Sequence, residues 1–252
     1  MKGLETWPML VLGVLLAGLM SACRQMELPA PAPTEGAIAC RLPHRISRPH
    51  MERVDADDVV ADRPIRFHML AITWMPQTCA AGGDGQGDLA CNSANRFGWT
   101  LHGLWPNSDG RPYPRYCRPA EEVRAATIRG ELCRIPSVDL VQHEWAAHGT
   151  CGWDTPEAYF AQAASLYDPL VKPEPMTLAG ADGQLTAGEL RDGWASANPG
   201  LPREAIYIAV TDDSQLREIR LCLDLEFQPR TCPNGDVGVG DRRVLQVTPS
   251  RA

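Results

Sequence analysis

Two short segments hold most of the residues that could do chemistry in this 252-residue chain. One is His102-Gly103-Leu104-Trp105-Pro106. The other is His143-Glu144-Trp145-Ala146-Ala147-His148-Gly149-Thr150-Cys151. Together they take three of the chain's 6 histidines, with a carboxylate beside them. Two imidazoles near their unperturbed pKa of about 6.5 can divide acid–base work. The neutral one removes a proton from a nucleophilic hydroxyl, and the charged one donates to a leaving oxygen. A neighbouring carboxylate orients an imidazole and favours its cation.

The same residues invite a metal reading, which their spacing argues against. On a helix, Glu144 and His148 share a face. His143 and His148 diverge by roughly 140° at 3.6 residues per turn. The zinc-peptidase signature H-E-x-x-H needs one residue fewer. No C-x-x-C pair occurs in the chain, so a structural zinc site is not expected either. The expectation is a site without metal or cofactor. Of the other histidines, His44 and His50 lie among Arg and Pro and read as solvated surface. His68 reads as packed on a strand.

These segments need a scaffold. Phe67 to Trp74 reads as a buried strand stopped by Pro76, and Ala80 to Asn95 as a loop. Trp99 to Trp105 reads as a strand that delivers His102 in a Trp/Gly/Pro-bounded turn. Pro119 to Leu132 reads as a helix with Glu121 and Glu122 in its first turn. Ser137 can cap a second helix reaching about His148. Thr155-Pro156 starts a third, to about Leu170, and Thr186 with Glu189 forms a capping box for a fourth. Ile206 to Asp212, Glu218 to Leu225 and Val244 to Thr248 read as strands. Helices in mid-chain with strands at both ends predict an α+β fold.

The formal net charge is −7, so no broad basic surface holds nucleic acid, and any such contact is local. Residues 1–23 read as an export signal: Lys2, then an apolar run from Met9 to Met20, too short to span a bilayer comfortably. The end, Met20-Ser21-Ala22-Cys23, is lipobox-like and makes Cys23 a candidate for lipidation. Residues 24–63, with Leu28-Pro29-Ala30-Pro31-Ala32-Pro33, read as a Pro-rich tether, with Cys40 able to pin it back. The remaining domain is 64–252. Without Cys23, eight of the 9 cysteines remain, which suggests four disulfides in an oxidising compartment. Spacing favours Cys79–Cys91 and Cys222–Cys232 and leaves the others open.

His102 to Pro106 and Glu144 to Cys151 resemble the two active-site segments of the ribonuclease T2 family of acid ribonucleases. Thr73-Trp74 before Cys79, Glu218 to Asp224, and Cys232-Pro233 resemble further parts of it, so that the likeness runs from about residue 65 to 248. The resemblance implies an α+β fold with a central antiparallel sheet packed with helices and stabilised by disulfides. It implies metal-independent cleavage of single-stranded RNA through a 2′,3′-cyclic phosphate, with low base specificity. It makes His148 the general base, His102 the general acid, Glu144 the acidic residue at the phosphate and His143 a phosphate holder. Trp105 and Tyr113 match aromatics that stack the upstream base, which is worth about 1–3 kcal/mol and tolerates any base. Asn107 stands where some members read adenine with aspartate. Trp145 is expected in the core.

The resemblance also pairs Cys117 with Cys151, Cys79 with Cys91 and Cys222 with Cys232, leaving Cys40 to Cys133. A monomer is expected, exported to the periplasm or outer membrane of a bacterium, or otherwise secreted. One departure stands out: Ala147 replaces a lysine common in the family, and such a loss can cost roughly 10²–10³ in rate. A protonated His143 is the candidate substitute and would favour acidic pH. The alternative is a catalytically weakened surface module of the same fold that binds RNA or a partner.

Overall fold

A computed structural model describes residues 40–82 and 88–250. Residues 1–23 with Cys23, and the Pro-rich run at 28–33, lie outside the described residues. In chain order the regular elements are β1 (Phe67–Trp74), α1 (Met75–Ala80), α2 (Asp88–Cys91), β2 (Trp99–Asn107), α3 (Ala125–Glu131) and α4 (Val138–Ala147). Then follow α5 (Pro156–Tyr167), β3 (Leu185–Thr186), α6 (Ala187–Ala197), β4 (Ile206–Val210), β5 (Leu216–Leu223) and β6 (Val244–Leu245). The main sheet has the order β2-β1-β5-β4, antiparallel throughout, and β3 pairs with β6.

Strand periodicity sorts the main sheet into two faces. Leu104, Leu70, Leu221 and Ile206 form one cross-strand row, and Leu101, Ile72, Ile219 and Ile208 the next. All eight are buried in the core, with Trp145 of α4, Tyr159 and Phe160 of α5 and Trp194 of α6. The alternate rows carry the chemistry. Gly103, Ala71, Arg220 and Tyr207 make one, and Thr100, Thr73, Glu218 and Ala209 another.

The register between β1 and β2 breaks once. Ala71 pairs with Gly103 but Ile72 with Leu101, which leaves His102 as an extra residue on β2. A bulge of this kind bends the strand and re-aims the side chain it carries. The strict alternation that buries Leu101 and Leu104 therefore does not bind His102.

The helix starts follow local capping chemistry. Ser137 accepts from the Leu140 N–H at 3.2 Å, and Thr155 from Ala158 N–H at 3.2 Å. Thr186 and Glu189 close a reciprocal capping box. Each such cap is worth about 1 kcal/mol.

Several bounds differ from the sequence reading. The helix expected from Pro119 begins only at Ala125, so Glu121 and Glu122 are not in its first turn. Arg124 is extended, the Val123 N–H is held by Gln142 Oε1 at 2.8 Å, and Glu122 pairs with Arg48. Tertiary contacts thus override helix propensity over 119–124. The third helix stops at Tyr167, and the last three strands are Ile206–Val210, Leu216–Leu223 and the short Val244–Leu245. A one-turn helix, α2, lies within the loop expected over 80–95.

Four disulfides join Cys40–Cys133, Cys79–Cys91, Cys117–Cys151 and Cys222–Cys232. Residues 40–63, expected as the end of a tether, belong to the compact unit Ile38–Ala252. Besides the Cys40 bridge, the His50 N–H donates to Asp139 Oδ1 at 2.7 Å, and Asp58 pairs with Arg115 at 2.6 Å. Among the described residues no helix is long and apolar enough to cross a membrane.

Candidate active site

The β2 bulge and the C-terminal end of α4 converge on one carboxylate. Glu144 is fully buried. Its Oε2 accepts from the Trp105 indole N–H at 2.9 Å and from the Tyr159 hydroxyl at 3.4 Å. Tyr159 is itself fixed, because its oxygen accepts from the Leu104 N–H at 3.0 Å. Glu144 Oε1 lies 3.5 Å from His102 Nε2. Gly103 makes this possible, since a Cβ there would overlap the Glu144 carboxylate.

His148 follows α4 rather than belonging to it. Its φ of −121° leaves the helix, and a 3-10 turn over Gly149–Cys151 takes over. Gly149 permits this turn to press on Trp145 and Tyr159, where a Cβ would clash. The Tyr116 N–H caps the Ala147 carbonyl at 2.9 Å, and Cys117–Cys151 ties the same loop to the helix end. This loop also carries Tyr113, whose ring lies 6.5 Å from that of His148.

Leaving the helix changes the relation of His148 to His143. The divergence expected from a helical wheel does not hold. Their rings are 6.4 Å apart, and ligand-type atoms of His143, Glu144 and His148 all lie within 4.8 Å of one another. Spacing alone therefore does not remove a metal reading.

The two histidines that flank the Trp105 ring are pushed in opposite directions. Burial would lower His102, but its hydrogen bond to Glu218 and the charges of Glu144 and Glu218 outweigh burial and the nearby Arg220, so its pKa is raised. His148 is driven well below the ordinary value by burial, reinforced by the positive charges of His143, His102 and Arg115. Burial raises Glu144, against the opposing pull of His102, His143 and the Trp105 and Tyr159 hydrogen bonds. Such separation of paired groups is the pattern that assigns acid and base.

Beside these groups opens a cleft of about 400 Å³, lined in part by Trp105, Asn107, Tyr113, His148, Tyr207 and Arg220. The Arg220 guanidinium lies 4.9 Å from the Trp105 ring centre and 5.2 Å from that of Tyr207. Trp105 sits between the histidines, its ring 5.0 Å from His102 and 5.3 Å from His148. The Asn107 amide N–H donates to the Trp105 carbonyl at 3.0 Å.

The structure thus gathers His102, Trp105, Tyr113, Glu144 and His148. His143 stands at the edge, half-exposed, its Nδ1 held by Glu52 at 3.0 Å. Trp145 is wholly core, His44 and His50 are exposed, and His68 is buried against Phe227. Four contributors escaped the sequence reading: Glu52, Tyr159, Glu218 and Arg220. A signal existed for two of them. In the strand Glu218-Ile219-Arg220-Leu221, apolar alternation places Glu218 and Arg220 together on the face away from the core.

Residues 65–232 match the Ribonuclease T2 family. A Haemophilus influenzae protein named "Probable ribonuclease" is 28% identical over 184 residues, covering 68% of this chain and 62% of that protein's length. An RNase-related protein from Calystegia sepium superposes with a TM-score of 0.59 at 19% identity, over 75% of this chain and 100% of its own. RNase NT, solved in complex with 5′-AMP, gives a TM-score of 0.53 at 19% identity over 75% and 100%. At these identities the structural likeness is one of fold.

Proposed function

The chain belongs to the ribonuclease T2 family, a family of endoribonucleases, and on that premise we propose that it cleaves single-stranded RNA by attack of the ribose 2′-hydroxyl on the adjacent phosphorus. His148, held neutral by burial, takes the 2′-hydroxyl proton. His102, held charged, gives its proton to the departing 5′-oxygen. The products are a 2′,3′-cyclic phosphate and a free 5′-hydroxyl. In the slower second step the roles reverse: His102 activates water and His148 protonates the 2′-oxygen.

Glu144 lies beside the phosphate position and His143 holds a phosphate oxygen. His143 stands in for the cation absent at Ala147. Trp105 and Tyr113 flank the upstream base. Stacking without a base-reading carboxylate supports low base specificity, because the Asn107 amide is engaged with the backbone of Trp105. No metal or cofactor enters this reaction. The chain acts as a monomer, exported and anchored through Cys23 in the periplasm or outer membrane, or otherwise secreted. Its four disulfides fit an oxidising compartment.

The observation that carries this reading is the opposite displacement of His102 and His148 on either side of Trp105. The test is digestion of RNA in EDTA by wild type, His102→Ala and His148→Ala. Cyclic-phosphate ends made by wild type and lost in both variants support it. Cleavage abolished by EDTA would identify the 143–144–148 donors as a metal centre instead.

A further inference from the structure

Glu218 is a charged side chain in an unusual place. It is 1% exposed, on the sheet row that faces the site, with neutral Thr73 and Ala209 as its cross-strand neighbours. Burying a carboxylate is costly unless it is paired and hydrogen-bonded. Both oxygens are in fact used. Oε2 lies 3.0 Å from His102 Nδ1. Oε1 accepts from Arg220 Nε at 2.8 Å and Nη2 at 2.5 Å. Arg220 is in turn held against the rings of Trp105 and Tyr207. The carboxylate therefore cannot turn without breaking both arginine N–H bonds to Oε1.

We propose that Glu218, clamped by Arg220, is the positioning residue of His102: it accepts the Nδ1 proton and so leaves Nε2–H as the group that protonates the leaving 5′-oxygen. The proposal rests on the ribonuclease reading and deepens it. When His102 donates from Nε2, the Nδ1–H···Glu218 bond persists and the ring becomes neutral in one tautomer. That tautomer presents the free Nε2 lone pair needed to activate water in the second step. Without a partner on Nδ1, neutral imidazole divides between two tautomers, one of them useless.

The groups facing His102 sharpen the choice. From α4 comes Glu144, from β5 come Glu218 and Arg220, and His148 lies beyond the α4 end. Glu144 is raised by burial, whereas Glu218 is held at about 2, burial being outweighed by the His102 hydrogen bond and the charges of His102 and Arg220. Glu218 is thus the partner that stays ionised across the working range.

The test compares two substrates in wild type, Glu218→Gln and His102→Ala. A dinucleoside phosphate needs its leaving group protonated; a uridine 3′-(4-nitrophenyl phosphate) does not. Glu218→Gln should lose about 10²–10⁴-fold in kcat on the dinucleotide, with KM little changed and the alkaline limb of its pH profile moved to lower pH. It should keep nitrophenyl ester turnover within about threefold. Equal losses on both substrates, or none on either, overturn the proposal.

Should Glu218→Gln fail to fold, ¹⁵N NMR of the wild-type imidazoles decides. Neutral His102 protonated on Nδ1 supports the proposal, and protonation on Nε2 overturns it. Failure of the parent reading looks different: His102→Ala would then cleave the dinucleotide as fast as wild type.

Discussion

Gly103 lies directly against Glu144: the space a side chain would occupy on the one is filled by the carboxylate of the other. Gly103→Ala must therefore push Glu144 away from Trp105 and Tyr159. Displacements of about 1 Å at a reacting centre cost about 10²-fold, and overpacking costs roughly 1–3 kcal/mol of stability. Kinetics on a dinucleotide alongside thermal unfolding should show both losses. Wild-type kcat/KM in Gly103→Ala would mean that the position of Glu144 does not matter to the reaction.

The pH–rate profile should be a broad bell. The proposed mechanism needs His148 neutral and His102 charged. Burial, with neighbouring cations, lowers His148, so the acid limb lies below the ordinary histidine value. Against burial, Glu218 and Glu144 raise His102, so the alkaline limb lies above it. Measuring kcat/KM from about pH 3 to 9 tests this, and a rate that is flat or still climbing above pH 8 contradicts it.

Stability should fall in two stages on acidification. His148 has a folded pKa below the unfolded 6.5, so the unfolded chain takes up its proton first and stability drops as pH falls below 6.5. Glu218 has a folded pKa of about 2 against 4.5 unfolded, so its contribution is present above 4.5 and lost between 4.5 and about 2. His102, raised when folded, adds stability below 6.5 that disappears as pH rises through its folded value. Midpoints of thermal unfolding across pH should show that His148→Gln removes the first stage and Glu218→Gln the second. Unchanged midpoint curves would count against both pairings.

Base preference should be weak and should depend on stacking. Tyr113→Ala should lose about 10–100-fold in kcat/KM, by a similar factor for every upstream base. Initial rates on a set of dinucleotides check this. A loss confined to one base would show that Tyr113 reads an edge instead of offering a face.

Much of this site was legible in the chain because its signals are local. Ser137, Thr155 and Thr186 mark helix starts through bonds that span three residues. A largely apolar run stopped by Pro76 marked β1. What was not legible depends on register and on chain endings. The bulge that frees His102 exists only in the pairing of β1 with β2. Glu218 meets His102 across 116 positions, and Glu52 meets His143 across 91. The helical wheel misjudged His148 by extending α4 one residue too far, and a single φ of −121° undoes that geometry.

The Cys40–Cys133 bridge spans 93 positions, far more than the other three bridges. Closing a loop of that length removes freedom from the unfolded chain worth about 4–5 kcal/mol. The loop it closes carries His102. A reducing environment would therefore release that stretch, so redox conditions and catalytic competence are coupled through one covalent bond.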